Sequence, residues 1–270
     1  MADILCHSRE HAEGTRAGRL DMTLNPLIFS PVLAVMGTLA GAVVATWTQL
    51  RIKRMEADLA MQKAEADRRA EIERTARRFR EPLGRAAYDL QSRIYNIIKS
   101  DFLNAYLKNG DERTRSYAIK NTLFVIAQYF AWTELVRREI QFIDLGADEK
   151  TRQLSALQDN IYSIWQTSNY HPLFRVFAGE QRAIGERILH ETTRGTECLG
   201  YAAFLDFFNA SQDPLLHAVE ADVGALGANL PLALPRLVEL QHSLVDLLDF
   251  LDPEFVRFPQ RNRTKLTVNA

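Results

Sequence analysis

Glu239 and His242 form an ExxH pair, which is the closest approach of this sequence to a metal-ligand motif. Residues three apart share one face of a helix, so the carboxylate and the imidazole could hold a metal ion, as in carboxylate-bridged di-metal bundles. Such a centre also needs a second ExxH and two more inward-facing glutamates. The chain has no second ExxH. We therefore predict no metal, no cofactor and no catalytic residue, and we interpret His242 as a surface histidine beside solvated acids.

A second polar group lies in the segment FRVFAGEQRAIGE, residues 174–186. Gly179 and Gly185 interrupt its helical pattern, and each costs about 1 kcal/mol relative to alanine. Either another helix crosses closely at the glycines, which we favour, or a ligand approaches a polar pocket between helices. The candidate residues for that pocket are Arg175, Glu180, Gln181, Arg182, Glu239 and His242.

The two cysteines offer no further chemistry. Cys198 is predicted at the start of a helix among Leu199 and Tyr201, which favours a small buried hydrophobic residue over a reactive thiol. Cys6 and Cys198 lie on opposite sides of the apolar segment described next, so we predict no disulfide between them.

A long apolar segment near the N-terminus determines where the rest of the chain is expected to lie relative to a membrane. No charged residue occurs between Asp21 and Arg51, and residues 27–50 are mostly apolar. A bilayer requires about 20 such residues, and the stretch is longer than the apolar region of a signal peptide. We therefore predict an uncleaved transmembrane helix over residues 24–50, with a cleaved signal peptide and a buried core helix as alternatives.

Small residues recur along this helix at Gly37, Gly41 and Ala45. A row of small residues lets two helices approach closely in lipid, so these three predict a helix-association face and a possible homo-oligomer. The alternative is that glycine and alanine are simply common in membrane helices.

The flanking charges predict the orientation of the helix. Arg51, Lys53 and Arg54 follow the apolar segment closely, and cytoplasmic flanks are enriched in such residues. We expect a single-pass protein of the inner or plasma membrane, with its N-terminus outside and its C-terminal domain in the cytoplasm. The net charge of −1 does not favour nucleic acid as a partner.

The remaining chain reads as all-α. We predict a disordered tail over 1–23, a helical stalk with weak coiled-coil spacing over 51–81, an antiparallel helical bundle over 82–256 and a basic tail over 257–270. Glu81 and Pro82 are expected to mark either the end of the stalk or a kink. Inside the bundle, helices are expected over 111–140, from 148, over 173–191 and 197–209, from 214, and from 235 to 252, with a loop over 167–172. No strand is expected.

Four segments, YNIIKSDFL, IAQYFAWTELVRREIQFIDLG, FRVFAGEQRAIGE and LVELQHSLVDLLDFLDP, carry a resemblance to a known group of sequences. Over residues 80–265 the chain resembles an uncharacterised bacterial family of membrane-anchored all-helical proteins. The resemblance implies a bacterial origin and supplies no activity or catalytic residues.

These features predict a class of function. We expect a non-catalytic interaction or scaffold module, or a sensor-effector, that recruits a protein partner to the lipid bilayer. A membrane-tethered enzyme with a polar pocket between helices is the alternative, and oligomerisation as the function itself is a third.

Overall fold

A computed structural model describes residues 26–140, 148–193 and 195–267. It is 80% helical, with a long apolar helix near the N-terminus. The chain divides into two units, residues 1–64 and 65–270, which are described separately below. The tail expected over 1–23 lies outside the described residues.

The first unit contains the N-terminal part of helix α1 (Pro26–Lys99). Every described side chain from Leu33 to Ala64 is exposed, including Leu39, Val43 and Trp47. By length and composition, this is one helix that could cross a membrane. The prediction of a long apolar N-terminal helix is therefore confirmed.

The second unit begins within α1. The expected end of the helix at Pro82 is wrong because α1 continues to Lys99, whereas the alternative of a kink there stays a prediction. Proline inside a helix removes a hydrogen bond and costs about 3 kcal/mol. Here Phe79, Leu83 and Leu90 are buried in the core on both sides of the proline. Burying each such side chain contributes about 1.5–3 kcal/mol, which outweighs the loss.

Two helices follow with the bounds that the sequence predicts. Helix α2 spans Glu112–Ile140 and α3 spans Asp148–Gln166, after a π-helical turn at Leu103–Lys108. The carboxylate of Asp111 accepts a hydrogen bond from the Thr114 amide at 2.7 Å, which caps α2. The middle of α2 is buried, as its apolar sequence indicates.

The next region differs from the prediction. Helix α4 spans only Ala178–Arg187, strands β1 (Leu189–Thr192) and β2 (Gly195–Cys198) pair antiparallel, and α5 spans Tyr201–Ala210. The helices expected over 173–191 and 197–209 are thus too long, and a hairpin is present. Gly195, the first residue of β2, has φ of +109°, a conformation that suits glycine.

Helix α6 spans Pro214–Leu251. Asp213 caps it by accepting from the Leu215 amide at 2.9 Å, as predicted. We expected a separate helix from residue 235, but the helical segments join through a kink at Asn229, where φ is −126° and ψ is 20°. The helix ends before Asp252, as predicted.

The C-terminal segment, expected as a basic tail over 257–270, packs into the second unit as far as it is described. Phe258, Arg263 and Leu266 are buried. The Gln241 side chain on α6 donates to the Thr264 carbonyl at 3.0 Å and accepts from the Leu266 amide at 3.0 Å. These bonds fix an extended segment that has little regular structure.

Candidate functional site: a cavity between three helices

A cavity of about 400 Å³ lies between α2, α3 and α4. Helix α2 forms one wall and α3 forms the opposite wall. On each helix the lining residues are spaced four apart in two rows, and this spacing places their side chains on one face of the helix. The residues that line the cavity include Tyr129, Phe130, Thr133, Glu134, Leu154, Gln158, Tyr162, Gln181 and Arg182.

Glu134 is a buried carboxylate, only 2% exposed. It accepts from Nε and Nη2 of Arg137 at 2.8 and 2.7 Å, and from Nε of Arg138 at 2.7 Å. Burial alone would raise the pKa of Glu134, but the two guanidinium groups outweigh it and the pKa is lowered. Glu134 therefore remains ionised with most of its acceptor capacity in use.

Three other polar groups of the wall residues have no hydrogen-bond partner among the described residues. The hydroxyls of Tyr129 and Thr133 and the Nε2 amide of Gln158 are buried and make no hydrogen bond within the described part of the chain. Burial raises the pKa of Tyr129. The Thr133 hydroxyl lies close enough to offset part of that rise, but the two hydroxyls do not meet at hydrogen-bond geometry. An unsatisfied buried group costs about 1–3 kcal/mol, so this wall holds hydrogen-bonding capacity that the fold does not use.

Helix α4 contributes Gln181 and Arg182, two of the six residues predicted for a polar pocket. Gln181 is buried and its Nε2 donates to the carbonyls of Val176 at 2.9 Å and Tyr162 at 3.1 Å. The exposed guanidinium of Arg182 lies 5.7 Å from the centre of the Tyr162 ring. Both residues belong to the cavity wall.

The other four predicted pocket residues lie elsewhere. The Glu180 carboxylate caps α4 by accepting from the Phe177 amide at 2.8 Å, and Arg175 lies over the Phe177 ring. Glu239 accepts from the Tyr170 hydroxyl, and Nε2 of His242 lies 2.8 Å from the Leu266 carbonyl oxygen. Sequence reasoning thus joined two separate polar regions into one pocket.

The His242 contact replaces the surface position that we expected for this histidine, because the imidazole packs half-buried against the C-terminal segment. Within residues 26–140, 148–193 and 195–267, no three His, Cys, Asp or Glu side chains are grouped to hold a metal ion.

The two glycines of the same segment have different surroundings. A Cβ at Gly185 would lie 2.7 Å from the Phe130 carbonyl oxygen, whereas one at Gly179 would meet nothing within 4 Å. The predicted close helix crossing is confirmed at Gly185, where α4 meets α2. Nothing in the packing explains Gly179.

Cys198 lies at the end of β2 rather than at the start of a helix. It is partly buried against the core, and burial raises the pKa of its thiol to about 12. A thiol in this state is a poor nucleophile.

Sequence reasoning missed Arg236, a fully buried arginine on α6. Its guanidinium donates to the carbonyls of Trp165 at 2.9 Å, Thr167 at 3.0 Å and His171 at 3.2 Å, and also to Ile164. It thereby satisfies the C-terminus of α3 and the loop after it. The available signal was a single arginine within an otherwise apolar helical stripe.

On α1, the predicted association residues Gly37, Gly41 and Ala45 are all exposed. A Cβ at either glycine would meet nothing within 4 Å. This row of small residues is thus open along the helix.

Comparison with known proteins finds no matching family model, no matching curated protein and no matching solved structure.

Proposed function

We propose that the protein is a single-pass membrane-anchored helical module that acts as a sensor or scaffold and recruits a protein partner. The observation that carries this proposal is the exposure of α1, whose apolar window is 0% buried. A large exposed apolar surface is unfavourable in water and requires lipid or a partner to cover it.

The polar groups of this segment support a lipid environment. The hydroxyls of Thr38, Thr46 and Thr48 donate to main-chain carbonyls three or four residues earlier, at 2.9, 2.8 and 2.7 Å. Hydroxyls satisfied within their own helix need no water, as the hydrocarbon core requires. Trp47 lies under the Arg51 guanidinium, 5.0 Å from the ring centre, and such a pair suits the membrane interface.

The orientation and compartment follow the basic flank. With Arg51, Lys53 and Arg54 in the cytoplasm, the second unit lies on the cytoplasmic side of a bacterial inner membrane and the N-terminus lies outside. The helices of that unit form an antiparallel bundle that presents a surface to a protein partner. Association of α1 with a second copy through Gly37, Gly41 and Ala45 makes the protein a homo-oligomer.

The cavity favours sensing over catalysis. Glu134 is held ionised by two arginines and is a weak base, while the raised pKa of Tyr129 keeps its phenol neutral. The described wall contains no histidine or cysteine. A membrane-tethered enzyme is the second candidate, because the same wall contains polar side chains in a partly enclosed space.

Alkaline carbonate extraction of membranes that contain the full-length protein tests the anchor. We expect the wild type to remain with the membrane and the double variant Met36→Arg, Leu39→Arg to be released, since each arginine near the bilayer centre costs about 2.5–3.5 kcal/mol. The matched control, Met55→Arg with Leu59→Arg, places the same charges beyond the apolar segment and should stay with the membrane. Release of the wild type would overturn the proposal.

A further inference from the structure

We propose that the cavity between α2, α3 and α4 is a binding site for a small amphiphilic molecule that presents acceptor oxygens, as a carboxylate or an amide carbonyl, on an apolar body. The inference rests on the proposed sensor role for its biological meaning. Binding is tested independently of membrane anchoring, so either can fail alone.

The size and apolar lining of the cavity set the body of the ligand. Its volume of about 400 Å³ falls in the range of small-molecule sites, roughly 300–1,000 Å³. Phe130, Leu154 and Tyr162 supply aromatic and aliphatic wall surface. A body of one or two rings, or a short branched chain, would be covered by these side chains.

The unpaired polar groups set the head of the ligand. Tyr129 and Thr133 each have a hydroxyl that can donate or accept, whereas Nε2 of Gln158 can only donate. A single chemical group that satisfies all three must therefore accept hydrogen bonds. Because neighbouring atoms cover these three groups, the proposed binding requires a small side-chain rotation that exposes them to the cavity.

The charges near the cavity disfavour a cation. Glu134 is neutralised by Arg137 and Arg138, and Asp159 is exposed to solvent. The Arg182 guanidinium has an aromatic contact with Tyr162 but no ion pair within the described residues. The positive charge of Arg182 attracts the carboxylate of a ligand and repels an ammonium group.

The hydroxyls of Tyr129 and Thr133 are either satisfied by ordered water or left unsatisfied until a ligand binds. Thermal unfolding of the full-length protein in nanodiscs distinguishes these two cases. If the hydroxyls are unsatisfied, Thr133→Val and Tyr129→Phe leave the melting temperature unchanged or raise it. The control Gln181→Leu removes an amide that is already paired and should lower it. Lower melting temperatures for both hydroxyl variants would overturn the proposal.

Equilibrium dialysis with three probes on one frame tests the chemical class. We expect 4-biphenylacetate and 4-biphenylacetamide to bind the full-length protein at least about tenfold more tightly than 4-biphenylmethylamine, after subtraction of binding to empty nanodiscs. Thr133→Val and Gln158→Leu should weaken both acceptor probes about fivefold or more, and Arg182→Gln should weaken only the acid. Equal binding of all three probes, no binding, or binding unaffected by these variants would overturn the proposal.

Discussion

Gly185 on α4 lies directly against the main chain of Phe130 on α2, where a Cβ atom would stand 2.7 Å from the carbonyl oxygen. The close crossing brings Gln181 and Arg182 to the cavity that Phe130 and Glu134 line from the other side. One missing side chain therefore sets the spacing of two cavity walls.

Replacing this glycine should destabilise the domain. Gly185→Ala forces the two main chains apart, and we expect a loss of about 1–3 kcal/mol in the free energy of unfolding, measured by denaturant titration. Gly179→Ala on the same helix is the control: it has open space and should be neutral or stabilising by up to about 1 kcal/mol. Equal losses for the two variants would contradict the close-crossing account.

Arg236 should contribute far more to the free energy of unfolding than a surface arginine does. Arg236→Met leaves several buried carbonyls without their hydrogen-bond donor, and we expect a loss of about 3 kcal/mol or more in unfolding free energy. Arg152→Met removes an exposed i,i+3 pair with Glu149 and should change it by less than about 0.5 kcal/mol. An unfolding free energy of Arg236→Met close to that of the wild type would contradict this role and show that the carbonyls find other partners.

Asp252 should make the domain sensitive to acid. Burial opposes ionisation of its carboxylate, but the amides of Phe258, Arg257 and Val256 together with the Arg263 guanidinium outweigh it and lower its pKa. A lowered folded-state pKa contributes stability that is complete above the ordinary aspartate pKa of about 3.9 and is lost as pH falls through the folded value.

Asp252→Asn tests this contribution. The variant should be less stable than the wild type at pH 7 and should lose less stability on acidification below about pH 4. Thermal melting at a series of pH values measures both effects. Asp246→Asn removes an exposed pair with Lys265 and serves as the control that keeps the wild-type acid profile. Identical acid profiles for Asp252→Asn and the wild type would contradict the assignment.

The small-residue row on α1 should govern self-association. Gly41→Ile places a branched side chain where two helices would touch and should abolish cross-linking of the full-length protein in mild detergent. Val43→Ile lies on the other side of the helix, two residues away, and should leave cross-linking unchanged. Equal cross-linking of both variants would show that the row is not the contact.

Helices with long periodic patterns were predictable from the sequence, and so were their caps. Asp111 and Asp213 cap α2 and α6 because an aspartate before an apolar-periodic run is a local signal. The hairpin was not predictable from alternation because each strand has only four residues. Continuation of α1 through Pro82 depends on tertiary packing that no local rule contains.

The candidate site was only half predictable. Gln181 and Arg182 stood out because glycines interrupt their helix, a local anomaly. Tyr129, Thr133 and Gln158 read as ordinary helical residues, and their lack of partners arises only when α2 and α3 pack together. Glu239 and His242 attracted attention by spacing alone, yet their partners come from distant segments.

Cysteine labelling in intact cells tests the membrane-spanning claim most directly. The half-buried thiol of Cys198 is removed by Cys198→Ser, so that Cys6 and an introduced Lys150→Cys on the exposed surface of α3 report the two sides. A membrane-impermeant maleimide should label Cys6 in intact cells and position 150 only after permeabilisation. Equal labelling of both positions in intact cells would contradict a helix that spans the membrane.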